Sequence, residues 1–169
     1  MAKYFNISGE STQELLAPGD DFNVSKISLT NVQKVSGCSI DLYIEKESDG
    51  KYYLFKNVKI PFGATLIYDE IRFSNRTNEF GLYIKLTDGA TFTLTGEIDP
   101  AASATVTGSG TAFLSEVSIG DEIVVQGETR TVTSVTTDTN LVVNTAFSNN
   151  SNDASPDCNP TALVDVIIN

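Results

Sequence analysis

The chain is predicted to be all-β: an antiparallel β-sandwich of Ig-like or jelly-roll type, followed by a small SH3-like or OB-like barrel. Three observations carry that expectation. Apolar residues alternate with polar ones at period two, turn residues fall between the alternating runs, and helical periodicity is nearly absent.

The alternation is clearest in residues 39–46, where Ile40, Leu42 and Ile44 point one way and Asp41, Tyr43 and Glu45 the other. Phe80, Leu82, Ile84 and Leu86 repeat the pattern against Gly81, Tyr83 and Lys85. Phe92 and Leu94 then share a face opposite Thr91, Thr93 and Thr95. Successive side chains leave opposite faces of a pleat, so these runs read as half-buried antiparallel strands. Ser48-Asp49-Gly50-Lys51 is a hairpin signal, because Asp-Gly tolerates the positive φ of a tight primed turn, and Asp88-Gly89 repeats it. Pro61-Phe62-Gly63 separates residues 52–60 from 64–68, since proline removes a ladder donor. With residues 3–8, 13–16 and 22–32 added, about eight short strands precede Asp99, a density that suits a sandwich.

Helix signals are few. Ser11-Thr12-Gln13-Glu14 matches a capping box, but Pro18 and Gly19 stop anything longer than a turn, and a strand is the better reading. Residues 111–116 can form one helical turn with Thr111 as its cap.

At Asp99-Pro100 the composition shifts: Lys and aromatics fade, and Thr, Val, Ser and Gly take over. A domain boundary is therefore expected there, giving a sandwich over residues 1–99 and a barrel over 100–147. The barrel strands are expected at 104–107, 122–126, 128–135 and 140–144, with turns at Gly120-Asp121, Gln126-Gly127 and residues 137–140. Residues 148–160 lack apolar periodicity and read as a loop. A last strand, residues 162–168, carries Val164, Val166 and Ile168 in alternation. An exposed apolar edge recruits other chains, so this strand must close the barrel, return to the sandwich or pair with a neighbouring subunit.

Composition excludes several functions. Of 169 residues 40% are hydrophobic, ordinary for a chain that buries a core. Its longest apolar runs, such as Ile123-Val124-Val125, fall far short of the roughly 20 residues of a membrane span. The first residues lack a secretory signal, so synthesis in a cytoplasm, with exit by lysis if at all, is expected. A net charge of −11 repels phosphate, and no Lys/Arg cluster offsets it, so specific nucleic-acid binding is not expected.

Catalytic equipment is sparse. The chain has no histidine, which removes Ser-His-Asp and Cys-His pairs and imidazole metal ligands. Gly108-Ser109-Gly110 lacks the later glycine, the lysine and the long helix of a phosphate loop. The adjacent carboxylates Asp20-Asp21, Asp69-Glu70 and Asp121-Glu122 read as solvated turns, since neighbours on a strand face opposite sides. Asp153, Asp157 and nearby asparagines offer hard oxygens without EF-hand spacing, so no metal or other cofactor is expected. Cys38 and Cys158 lie far apart and form no C-x-x-C pair; two free thiols are expected, with a bridge as the alternative. The candidate interaction residues are Tyr43, Tyr52, Tyr53 and Tyr83, together with Val164, Val166 and Ile168 of the last strand.

Residues 26–31, 39–44 and 52–66, with their Ile60-Pro61-Phe62-Gly63 turn, resemble a small β-sandwich of virion structural proteins of tailed, especially cyanophage-like, bacteriophages. Residues 105–125, ending in Gly120-Asp121-Glu122-Ile123-Val124-Val125, and 129–135 are similar to a barrel module in the same kind of protein. The resemblance implies a non-enzymatic particle component: a capsid decoration or neck or tail surface protein. Its partners would be other virion proteins (major capsid, neck or tail), in a homo-oligomer or at symmetric positions. A receptor- or glycan-binding module of a tail or baseplate is the alternative it leaves open.

Overall fold

The computed structural model describes residues 1–46, 48–76 and 79–169. The chain runs β1 (Lys3–Ser8), β2 (Thr12–Leu16), β3 (Asn23–Val24), β4 (Ile27–Asn31), β5 (Cys38–Lys46), β6 (Gly50–Ile60), β7 (Thr65–Tyr68), β8 (Phe73–Ser74) and β9 (Gly81–Thr87). It continues through β10 (Phe92–Thr93), β11 (Glu97–Asp99), β12 (Thr105–Ser109), α1 (Phe113–Glu116), β13 (Glu122–Val125), β14 (Glu128–Thr137), β15 (Asn140–Val143), β16 (Asp157–Asn159) and β17 (Leu163–Ile168). The fold is all-β, as the alternation predicts.

The chain divides into two compact units. One comprises Met1–Gln33, Gly37–Asp88 and Ala162–Asn169; the other comprises Lys34–Ser36 and Gly89–Thr161.

In the first unit two four-stranded antiparallel sheets have the orders β1-β17-β4-β7 and β2-β9-β5-β6. The pairings β1 with β17, β2 with β9, β4 with β7 and β5 with β6 are the rungs of one long two-stranded ribbon. The ribbon is folded so that successive rungs alternate between the sheets. That arrangement is the jelly roll, which settles the choice between it and an Ig-like sandwich. The core collects the inward residues of both sheets: Ile7, Ile27, Leu29, Val164, Val166 and Ile168 from one, Leu16, Ile40, Leu42, Leu82, Ile84 and Leu86 from the other. Removing each such side chain from water stabilises the fold by roughly 1.5–3 kcal/mol.

In the second unit the seven-stranded order is β10-β16-β13-β14-β15-β12-β11. Its two end strands are consecutive in the chain. Residues 94–98 also bond to the segment that leads into β16: Leu94 N–H donates to Pro156 O at 2.8 Å, and Ile98 of β11 exchanges backbone bonds with Asp153 at 2.8 and 2.9 Å. The sheet thus closes on itself as a barrel around Leu94, Ile98, Val106, Phe113, Ile123, Val132, Leu141, Val143 and Cys158. Gln126 and Gly127, at φ 51° and 80°, make the primed turn that their sequence suggests, joining Val125 to Glu128.

Several expectations are revised. The units part at Asp88/Gly89 and not at Asp99/Pro100, because β10 and β11 ladder onto β16 and β12. β16 lies inside residues 148–160, expected to be a loop, and it occupies the barrel position that the last strand was a candidate to fill. β17 instead lies between β1 and β4 in the jelly roll. The barrel is therefore an insertion between the seventh and eighth strands of the ribbon, and Ala162 N–H donates to Asp88 Oδ1 at 2.6 Å where the chain leaves and returns. The single helical turn is present, but Ala112 is its N-cap. Thr111 Oγ1 donates to Asp138 O at 2.6 Å, and the Asp138 carboxylate accepts from Leu114 N–H at 3.0 Å.

Candidate functional site

Three of the four candidate tyrosines meet on the outer face of the β2-β9-β5-β6 sheet. Tyr43 is the direct cross-strand neighbour of both Tyr53 on β6 and Tyr83 on β9, and Tyr83 in turn faces Glu14 on β2. The rings form a ladder. Tyr43 and Tyr83 stack at 5.7 Å and 17°, and Tyr43 and Tyr53 tilt at 5.5 Å and 51°. Tyr83 OH donates to Glu14 Oε2 at 2.9 Å, so the row spans all four strands.

Lysines cap the rings. Lys51 Nζ lies 4.5 Å from the Tyr43 centroid and donates to its hydroxyl at 3.2 Å; Lys56 Nζ lies 4.7 Å from the Tyr53 centroid. Both distances suit a cation on an aromatic face. The Lys56 placement follows from a bulge, where Lys56 and Asn57 together oppose Asp41. Asn57 adopts φ 52°, and its N–H donates to Asp41 Oδ1 at 2.7 Å. Tyr83 depends on Gly81, because a Cβ there would stand 2.7 Å from the Tyr83 ring. Burial of the phenol, and then the Glu14 carboxylate it bonds, push the Tyr83 pKa up to about 12. The hydrogen bond to Tyr43 raises that of Lys51.

The sequence-predicted residues separate into three groups. Tyr43, Tyr53 and Tyr83 come together, with Tyr43 only 2% exposed beneath its neighbours and Tyr53 43% exposed. Tyr52 is 53% exposed but leaves the ladder, making an edge contact with Phe80 at 5.8 Å, and Lys46 reaches that same ring. Val164, Val166 and Ile168 are a correction: they are buried in the jelly-roll core, since β17 is paired on both sides and turns them inward. They present no interaction surface. Reading the sequence missed Lys51, Lys56, Glu14 and Gly81; the one visible signal was Lys51 directly before Tyr52-Tyr53.

Other polar candidates serve the scaffold. Asp121 is not a solvated turn residue: it is fully buried, and its carboxylate accepts from Ser118 N–H at 2.8 Å and Thr161 N–H at 2.9 Å. Asp20 and Asp21 pair with Lys3 and Arg76. Asp153 accepts from Gln126 N–H and Ser155 N–H, and Asp157 from the Thr93 hydroxyl. Glu128 ties down residues 148–149 by accepting from Ser148 N–H, Ser148 Oγ and Asn149 N–H, which lowers its pKa to about 2. Cys38 and Cys158 are free thiols, each buried in a different unit. Burial raises the Cys38 pKa to about 11 and pushes Cys158 higher still. Among the described residues no helix is long and apolar enough to cross a membrane.

The surface so built is an amphipathic plate: rings locked by cross-strand contact, with ammonium groups held over them. Rigid aromatic area that stays partly wet suits contact with a macromolecule.

No family model matches the chain, and no curated protein matches it. Among solved structures it is similar to a chain in the structure of infectious bursal disease virus, Gx strain, at 7% identity and a TM-score of 0.24, with 100% of this chain and 32% of that one covered. A second match is a conserved protein of unknown function from Pseudomonas aeruginosa, at 10% identity and TM-score 0.17, covering 99% and 81%. T=1 particles derived from infectious bursal virus match at 10% identity and TM-score 0.22, covering 99% and 39%. The chain thus spans about a third of the first viral chain. Superpositions with TM-scores this low do not establish a common fold.

Proposed function

We propose that this chain is a structural accessory component of a tailed-phage virion, a capsid decoration or neck or tail surface protein that works through protein–protein contacts and not by catalysis. The observation that carries the reading is the jelly-roll ribbon order with a complete second β-unit inserted before its last strand. Jelly rolls form viral capsid and lectin domains, and their two packed sheets leave loops and faces free for repeated contacts. The local resemblance of residues 26–31, 39–44, 52–66, 105–125 and 129–135 to tailed-phage particle proteins points the same way, as does a sequence without histidine. Other virion proteins are the partners, and the tyrosine–lysine plate is the face offered to them.

A glycan-binding role has less support. A sugar ring stacks on an open aromatic face, and Lys51 and Lys56 occupy the faces of Tyr43 and Tyr53. Mass spectrometry of purified particles from an infected culture is the test. The chain is expected in stoichiometric amount, and its absence from particles would overturn the reading.

A further inference from the structure

The two jelly-roll sheets have four edge strands, β1, β7, β2 and β6, and three of them are guarded. β6 is broken by two register shifts and carries Lys51, Lys56 and Lys59. β2 shifts register after Glu14. β7 has four residues and begins just past the Pro61 turn. Bulges, lysines and short length all block edge-to-edge pairing. β1 has none of these devices along its paired length except Lys3 at its start: its six residues pair with β17 without a shift.

The direction of its backbone groups follows from one bond. Gly9 N–H donates to Ala162 O at 2.9 Å, and in an antiparallel ladder the residues that exchange bonds alternate with those that do not. Lys3, Phe5 and Ile7 therefore turn their N–H and C=O toward β17. Tyr4, Asn6 and Ser8 turn theirs outward, and among the described residues no backbone group meets them.

We propose that β1 pairs with β1 of a second copy about a two-fold axis at Asn6, joining two four-stranded sheets into one. The outward residues then exchange bonds in order: Tyr4 with the partner's Ser8, Asn6 with the partner's Asn6, and Ser8 with the partner's Tyr4. A two-fold axis normal to the sheet keeps each face on its own side. Phe5 and Ile7, which pack on the jelly-roll core, thus meet apolar neighbours over a continuous core. No like charges stand opposite one another. A register centred on Phe5 would instead set Lys3 against the partner's Ile7 and leave Ser8 outside the paired stretch. This self-complementarity of the strand points to a second copy as the occupant. The inference does not depend on the particle reading, since the dimer is measured on the purified chain alone.

The test is sedimentation velocity of the full chain over a wide concentration range, with three variants. Asn6→Pro removes a backbone N–H that does not serve β17, together with the exposed side-chain bond from Asn6 Nδ2 to Asp165 Oδ1, and proline is tolerated at such an edge position. It is expected to keep the circular-dichroism spectrum and weaken self-association by about a hundredfold or more. Asn6→Lys, a second route that adds no proline, sets two ammonium groups opposite each other and is expected to give monomers as well. Asn6→Cys is expected to form an intermolecular disulfide on mild oxidation, while Ser28→Cys, on β4 away from the edge, does not. A chain monomeric throughout, a dimer indifferent to both Asn6→Pro and Asn6→Lys, or a dimer that Asn6→Cys fails to cross-link would each overturn the proposal. So would a monomer that takes up an unrelated extended peptide along β1.

Discussion

Glu128 shows how single carboxylates hold this molecule's loops. It accepts from two backbone N–H groups and a hydroxyl of residues 148–149, and Arg130 Nη2 lies 2.6 Å from Oε2. These donors favour the charged form, so the folded pKa falls to about 2 from 4.5. A lowered folded pKa contributes stability that is present above the unfolded value and lost as pH drops toward the folded one. Thermal unfolding midpoints are therefore expected to fall between pH 4.5 and about 2 more steeply in the native chain than in Glu128→Gln. Equal slopes would show that the carboxylate does not hold this loop. Asp121 illustrates why such residues escape a sequence reading. Beside Gly120 it looks like a turn, and only folding brings Ser118 and Thr161 N–H to its two oxygens.

Strands were legible wherever alternation ran long enough. In β5 and β9, Ile40, Leu42, Leu82, Ile84 and Leu86 are core residues, on the faces that period two assigns them. β16 was not legible, because Cys158 is the sole apolar residue between Pro156 and Pro160, and one residue makes no period. The tyrosine ladder was half legible. Parity put Tyr43 and Tyr83 outward, but the register that sets Tyr53 beside Tyr43 depends on the shifts in β6, which no alternation reports. β17 was visible as a strand, yet its partners were not, since period two marks faces and not neighbours. Its docking now makes a sharp prediction. Deleting residues 162–169 removes Ala162, Val164, Val166 and Ile168 from the core. Large-to-small changes at buried aliphatic sites each cost about 2–4 kcal/mol, against a typical total stability of roughly 5–15 kcal/mol. The truncated chain is expected to lose cooperative unfolding in a denaturant titration; a native-like transition would refute the placement of β17.

At the scale of the whole molecule, the ribbon begins in β1 and ends in β17, and the barrel interrupts it just before the end. First and last strands therefore pair across nearly the full sequence, from Lys3 with Ile168 to Ser8 with Leu163. A contact of such separation closes a loop of most of the chain before any native pairing rewards it, and contacts of this kind slow folding. The net charge of −11 sets like-charge repulsion against non-specific association of the strand edges.

Amide hydrogen exchange on the full chain tests the jelly-roll assignment most directly, because β17 is bonded on both sides only if β1 and β4 flank it. The amides of residues 163–168 are expected to exchange as slowly as those of β5 and β9. Exchange at the rate of the 148–152 loop would contradict the architecture on which the functional reading stands.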